Sequence, residues 1–453
     1  MQSFGYYGDF NYRRPLQAFG LRNSTRNKIH PKDLSIHGWY QFVLGYPPHL
    51  VRQYITKFRL NNGDIIFDPF AGLGTTLVEA SKNNIISYGV EANPIACFAS
   101  TVKLYRNYDL KALEECLAYI LSSIELSFRY HDIDEPSLDV FDPSTHFGPV
   151  VIKKVNGITA DQEKLIPKGF ISPRPLLKVL IIRDIIERIQ DELLKNFFKL
   201  ALCAFIVKEA GNMAFGPEIY RTNAKKDIES LRGFQNIAIS MINDVRQGQL
   251  QAPATIYFGD SRDLSKVLPE ELLGRINAVI TSPPYPNEKD YTRSTRLESV
   301  LLGFIKGKED LRNIKTGLLR SNSRNVFNGD EDEKQVAQFI SITSLAEAIE
   351  NRRLELKKTS GFEKLYHKIV LHYFGGMYRH LKTLKSFLSA QARLAYVVGD
   401  QASYFKILIP TAKLLGEIAE HLGYKIKEVE RWRTRLATAT RKQLDENVLI
   451  IET

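Results

Sequence analysis

The stretch GDIIFDPFAGLGTTLVEASKNNIISYGVE, residues 63–91, decides the fold. GDIIFD reads as a short apolar strand, AGLG as a glycine turn, TTLVEASKN as the start of a helix and SYGVE as a second strand. Strand, glycine turn, helix, strand is the opening of a doubly wound α/β sheet. Helical texture then continues through NPIACFASTVKLY, residues 93–105.

Strand texture returns at ATIYFGD (254–260), INAVI (276–280), ARLAYVVGD (392–400), YKIKEVERW (424–432) and NVLIIE (447–452), with a helix around 410–422. The intervening segments have helical periodicity, clearest in LLKVLIIRDIIERIQDELLKNFFKLALCAFIVKEAG, where apolar residues recur at three and four positions with charges between. The expected class is α/β, a doubly wound seven-stranded Rossmann-like sheet with large helical insertions. The expected division is an N-terminal arm at 1–36, a first sheet part at 37–104 and a helical insertion at 105–250. A second sheet part follows at 251–300, a basic helical insertion at 301–390 and a third sheet part at 391–453.

The 453 residues carry 62 Lys and Arg against 51 Asp and Glu, a net charge of +11, which suits a polyanionic partner without requiring one. The only cysteines, Cys97, Cys116 and Cys203, have no metal-ligand spacing, so neither a metal centre nor a disulfide framework is expected. The N-terminus lacks the order of a signal peptide, and the longest apolar run, Leu200 to Val207, is far short of the ~20 residues a spanning helix needs. A cytoplasmic protein with no membrane partner is expected.

The first chemical constellation is DPFAGLGTT, Asp68 to Thr76. Gly72 and Gly74 let the backbone turn tightly and approach a ligand, Thr75 and Thr76 open the helix, and the Asp68 carboxylate is placed to face a cationic group. A phosphate loop would end in Gly-Lys-Ser/Thr, which is absent. The second strand ends in Glu91, an acceptor for both hydroxyls of a ribose. The third ends in Gly259-Asp260, and Asp260 can accept an adenine amino group. A ribose acceptor, an adenine acceptor and a glycine turn facing a cation describe an adenosyl sulfonium.

The fourth strand ends in Thr281-Ser282-Pro283-Pro284-Tyr285. Two prolines stop the ladder and remove two amide donors, leaving outward carbonyl acceptors. The Ser282 hydroxyl and the Pro283 carbonyl can accept the two N–H bonds of an aromatic amine. That draws the nitrogen lone pair out of ring conjugation and toward a methyl donor. Tyr285 is placed to stack on the base, a contact worth about 1–3 kcal/mol. The bland alternative, a proline-rich turn leaving a buried strand, loses weight because the motif lies downstream of the cofactor turn.

DPFAGLGTT, GVEANP, GDSR, TSPPY and YVVGD, in this order, resemble the amino-methyltransferase family of DNA modification enzymes. The resemblance covers roughly 37–104, 254–300 and 391–453 and leaves the insertions largely outside. It implies a methyltransferase sheet with S-adenosyl-L-methionine as cofactor, lined by Asp68, Phe70, Gly72, Gly74, Thr75, Glu91 and Asp260, and a flipped base held by Ser282, Pro283, Pro284 and Tyr285. HGWYQFVLGYPPHLVRQYI (37–55) resembles the element that packs over the methionine end, with Tyr46 and Pro47 as lesser candidates. Serine in the first motif position is the form associated with cytosine N4, whereas aspartate is more frequent for adenine N6. A C5-cytosine enzyme needs a cysteine nucleophile, normally after a proline, and none of the three cysteines follows one.

The expected activity is therefore methylation of cytosine N4 in a specific duplex DNA sequence, within a restriction-modification system and beside a cognate restriction endonuclease. Adenine N6, an RNA amino group, glutamine in a protein, and a non-catalytic DNA-binding role are the alternatives. The short segment before the first strand speaks against the tRNA guanine-N2 enzymes, which typically carry a sizeable N-terminal RNA-binding domain. Flipping a base costs a few kcal/mol that contacts elsewhere must offset. Basic stretches at 307–325, 351–358 and 431–442 supply candidates: Arg320, Arg324, Arg352, Arg353, Arg433 and Arg435, for phosphates or guanine edges. Each taken singly reads more simply as a solvated charge. Parts of both insertions are expected to read the target sequence.

Overall fold

The computed structural model describes residues 28–41, 45–138, 148–216, 219–287, 289–327, 329–437 and 440–453. Most of the expected N-terminal arm lies outside the described residues. In chain order the first elements are helix α1 (Pro48–Lys57), strand β1 (Ile65–Asp68), α2 (Thr75–Lys82), β2 (Ile86–Glu91) and α3 (Pro94–Leu104). A helical block follows: α4 (Leu110–Tyr130), α5 (Ala160–Leu165), α6 (Pro173–Ile186) and α7 (Glu192–Phe205), which runs on as a π-helical turn to Ala210. The strands β3 (Met213–Phe215) and β4 (Ile219–Arg221) and helix α8 (Ser230–Arg246) complete it. Then come β5 (Ala254–Phe258), β6 (Ile276–Thr281), α9 (Tyr291–Ser294), α10 (Arg296–Leu301), α11 (Lys308–Gly317), α12 (Ile340–Glu355) and α13 (Tyr366–Leu384). The chain closes with β7 (Leu388–Gly399), α14 (Thr411–His421), β8 (Lys425–Leu436) and β9 (Gln443–Glu452).

Seven strands form one sheet in the order β5-β2-β1-β6-β7-β9-β8, the doubly wound α/β architecture that the sequence predicts. β5, β2, β1, β6 and β7 pair in parallel, and β9 runs antiparallel to both β7 and β8. Six strands therefore point the same way and end at one edge. β1 is short and apolar because a central parallel strand is covered on both sides. Ile66 packs with α1 residues Leu50, Val51 and Tyr54 on one face. Its neighbour Phe67 packs with Tyr373, Met377 and Leu381 of α13 on the other.

Two features depart from the expected organisation. The helical block contains an antiparallel hairpin, β3 with β4, whose three-residue strands are too short to show alternation. The 301–390 segment ends in α13, which is a crossover helix of the sheet itself: it leads into β7 and buries Ile369, Tyr373, Phe374 and Met377 against the β-strands. The helical block 105–250 joins α2 and α3 in a continuous apolar core, so it thickens one side of the sheet. Among the described residues no helix is long and apolar enough to cross a membrane.

Gly375 and Gly376 interrupt α13 with two poor helix formers, each costing about 1 kcal/mol against alanine. The cause is close packing: a Cβ on Gly375 would lie 1.8 Å from the Asp332 carbonyl oxygen, and one on Gly376 would lie 2.6 Å from Leu319 Cδ1. We expect Gly375→Ala to destabilise the protein by about 1–3 kcal/mol despite its better helix propensity, through overpacking. The urea midpoint measures this, and an unchanged or raised midpoint would contradict the packing.

Candidate active site at the strand tips

The common edge of the parallel strands opens onto a cavity of about 660 Å³. That lies within the size range of small-molecule sites, roughly 300–1,000 Å³. Phe70, Gly72, Glu91 and Asp260 line it, as do Ser282, Pro283, Pro284 and Tyr285, together with Tyr46 of the segment before α1. Residues at the ends of β1, β2, β5 and β6 thus share one space although Phe70 and Tyr285 stand 215 positions apart along the chain.

At the glycine turn, Gly72 (φ +52°) and Gly74 (φ +77°) both adopt the left-handed region that favours glycine. No atom lies within 4 Å of where a Gly72 Cβ would be, so the backbone faces open cavity there. A Gly74 Cβ would meet Ser100 Oγ at 3.1 Å. Glu91 holds the turn: its carboxylate accepts from Gly72 N at 2.8 Å and from Asn93 N at 2.7 Å. Burial pushes its carboxyl up to about 7.

Asp68 departs from its expected place. It is fully buried beneath the cavity, and its carboxylate accepts from Thr281 Oγ1 at 2.6 Å, Tyr46 Oη at 2.9 Å and Phe70 N at 3.1 Å. Tyr46 Oη also contacts Thr76 Oγ1, which donates to Ile280 O at 3.0 Å. Asp68 therefore ties β1, β6, α2 and the Tyr46 segment together and does not face a cation. Burial raises its pKa. Gly74 and Thr75 likewise shape the turn and are not among the lining residues.

Asp260 is gripped by Arg262, whose Nε lies 3.0 Å from both carboxylate oxygens and whose Nη2 lies 2.6 Å from Oδ2. The same guanidinium bonds Asp332 at 2.7 Å, and Arg379 bonds the other Asp332 oxygen at 2.6 Å. On the next wall Phe70 sits edge-on to His380 with centroids 5.0 Å apart. His380 spans Ser261 O (2.8 Å) and Tyr396 Oη (2.6 Å), and burial lowers its pKa to about 4, which keeps it neutral.

Beyond the proline motif, Tyr285 Oη donates to Glu446 Oε1 at 2.9 Å, and Arg433 Nε bonds the other oxygen of Glu446. A Cβ on Gly399 would stand 3.0 Å from Tyr285 Cε2, so the absent side chain makes room for the ring. Glycine at the end of β7 is a close-approach requirement that YVVGD gave no reason to suspect. Trp432, Glu446, Gln401 and Tyr291, all lining residues, were also missed. The only sequence signal was a carboxylate, Glu446, beside an apolar strand.

The six arginines expected on DNA divide. Arg320 is 5% exposed, paired with Asp330 and bonded to the carbonyls of Lys315, Thr316 and Leu318, so no phosphate can reach it in this conformation. Arg353 is chelated by Glu350 of its own helix, and Arg352 pairs with Glu355 at 2.8 Å. Arg324 stays 44% exposed at its side chain, lying over the Phe362 ring. Arg433 and Arg435, also expected on phosphates or guanine edges, line the cavity, because β8 extends to Leu436 and carries them to the strand-tip edge.

The donor set suits S-adenosyl-L-methionine: an open backbone at Gly72, carboxylate acceptors at Glu91 and Asp260, and an aromatic wall at Phe70. A DNA methylase family model matches residues 21–101. The chain is 25% identical to the Type II methyltransferase M.BsoBI of Geobacillus stearothermophilus over 420 residues, 87% of this chain and 79% of that protein. It is 22% identical to the Type II methyltransferase M.AvaI of Nostoc sp. over 89% of this chain and 81% of that one. With M.MjaII of Methanocaldococcus jannaschii, also a Type II methyltransferase, identity reaches 39% over 105 residues, 23% of this chain and 18% of that one. A doubly wound sheet with a strand-tip cavity, together with these matches, supports the N4/N6 DNA amino-methyltransferase family for this chain, with S-adenosyl-L-methionine as its cofactor.

Proposed function

We propose that this protein methylates the exocyclic N4 of cytosine in a specific duplex DNA sequence, as the cytoplasmic modification enzyme of a restriction-modification system with a cognate endonuclease. The observation that carries the reading is the single cavity lined by Gly72, Glu91 and Asp260 and also by Ser282, Pro283 and Tyr285. Bound S-adenosyl-L-methionine supplies an electrophilic methyl group. Glu91 is suited to its ribose hydroxyls, Asp260 to its adenine amino group, and Gly72 to close backbone approach. Phe70 and Tyr46 wall the same space, while Asp68, Gly74 and Thr75 act from behind by fixing the turn.

Ser282 Oγ and the Pro283 carbonyl accept the N–H bonds of the target amine, and Pro284 fixes the turn. Tyr285, braced by Glu446 and Gly399, presents a ring fixed in orientation for stacking. With S-adenosyl-L-methionine bound, the amine nitrogen would take the methyl carbon as the carbon–sulfur bond broke, and one amine proton would pass to solvent. Serine at position 282 favours cytosine, and the relatives' designation as Type II methyltransferases supports a sequence-specific DNA substrate. Arg324 and Arg352, with side chains 44% and 48% exposed, are the arginines of the six best placed to meet a phosphate.

Nucleoside mass spectrometry of DNA incubated with the protein and S-adenosyl-L-methionine should show N4-methylcytosine. Ser282→Ala should lower its formation roughly a hundredfold or more while cofactor affinity stays near the wild-type value. N6-methyladenine as the product, or undiminished transfer by the variant, would refute the assignment.

A pH dependence follows from Glu91. Its carboxyl is held protonated up to about 7 in the ligand-free cavity, whereas ribose hydroxyls bond best to the ionised form. Cofactor affinity should therefore weaken as pH falls below 7, by up to about tenfold per unit, and level off above. Titration calorimetry in buffers of different ionisation enthalpy should detect proton release on binding near pH 7. Glu91→Gln should abolish that release, and a pH-independent wild-type affinity would contradict the role.

A further inference from the structure

Arg433 and Arg435 lie two apart on β8, with both side chains lining the cavity. Arg433 is held by its Nε, which bonds Glu446, itself bonded to Tyr285, and its guanidinium lies over the Trp432 ring at 5.1 Å. Arg435 is anchored at one corner only, Nη2 donating to Asp400 O at 2.6 Å. Its Nε is buried and has no partner among the described residues. Arg435 pairs with Leu444 across the strands and Arg433 with Glu446, so Arg435 stands one same-face step from the residue that braces Tyr285. An anchored guanidinium with donors left over, inside a ligand cavity, calls for an acceptor brought in from outside the chain.

We propose that Arg435 is a specificity-determining residue that donates to the O2 carbonyl of the target cytosine. The inference rests on the N4-cytosine reading above and adds to it the means of discrimination. Ser282 and Pro283 offer acceptors for the amino group, which cytosine N4 and adenine N6 both satisfy. The remainder of the pairing edge differs. Cytosine presents two acceptors, N3 and O2, whereas adenine presents N1 and then a carbon-bound hydrogen at C2. A guanidinium donor has a partner in the first base and lacks one in the second. A site built to bond a polar group rejects the analogue without it, because its own buried donor is then left unpaired.

The experiment uses the full chain and two duplexes containing its recognition sequence, one with cytosine at the target and one with a cytosine analogue lacking the 2-keto oxygen. Transfer from labelled S-adenosyl-L-methionine is measured for wild type, Arg435→Gln and Arg435→Lys. Wild type should lose roughly ten- to a hundredfold in kcat/KM on removal of the oxygen. Arg435→Gln should lose a similar factor on cytosine yet be indifferent to the oxygen, and Arg435→Lys should fall between. Equal further loss by Arg435→Gln on both duplexes would overturn the proposal. So would a uniform weakening of binding to any duplex with a salt slope reduced by about one, the mark of a phosphate contact. Cofactor affinity reports folding of the variants; should they fail to fold, a wild-type enzyme indifferent to the oxygen would still overturn it. Failure of the underlying reading looks different, because the unmodified enzyme would then make N6-methyladenine.

Discussion

Parallel pairing is the constraint on which the site depends. A strand whose neighbours run the same way must deliver its C-terminal residue to the same edge as theirs, however much sequence intervenes. β1, β2, β5 and β6 obey this through direct registers, such as Ile66 with Ala278 and Glu91 with Phe258. The helical block therefore interrupts the sheet between β2 and β5 without disturbing the relation of Glu91 to Asp260. β8 also ends at this edge, and β9 begins there, because β9 runs antiparallel to both β7 and β8. The far wall of the cavity, with Trp432, Arg433 and Glu446, comes from that reversal.

Beneath and beside the cavity, buried polar groups are satisfied by one another. Asp68 takes three donors and Asp332 takes two arginines. Removing one partner of such a group leaves the other uncompensated, which costs far more than the pair contributes net. The Asp260-Arg262-Asp332-Arg379 chain runs from the tip of β5, through the turn at Asp332, to α13. It joins the expected cofactor wall to the basic 301–390 segment, and Gly375 and Gly376 are the packing condition for that junction.

Much of the sheet was legible because parallel strands are short apolar runs with punctuation at their ends. The residues read as site candidates from those ends, Gly72, Glu91, Asp260 and Ser282 to Tyr285, do line one cavity. Other readings failed for identifiable reasons. Asp68 ends β1 as Glu91 ends β2, but its carboxylate is fully buried, where hydroxyls from Tyr46 and Thr281 meet it. Arg320 and Arg353 sit in basic stretches, yet their carboxylate partners Asp330 and Glu350 lie close in the chain and neutralise them. Composition counts charge without pairing it. RWRTRL read as a basic stretch with no hint of a cavity wall, because alternation along β8 is blurred where one face meets a polar cavity. Gly399 and Gly375 were invisible, since what excludes a Cβ is a neighbour distant in sequence.

On the proposed reading, cofactor and target base meet in one strand-tip cavity. A crystal structure of the protein with S-adenosyl-L-homocysteine and a duplex bearing its recognition sequence tests it directly. The adenosyl group should lie between Glu91 and Asp260, with an extrahelical base against Ser282, Pro283 and Tyr285 in the same continuous space. A cofactor bound on another face of the sheet, or a target base lodged away from Tyr285, would contradict it.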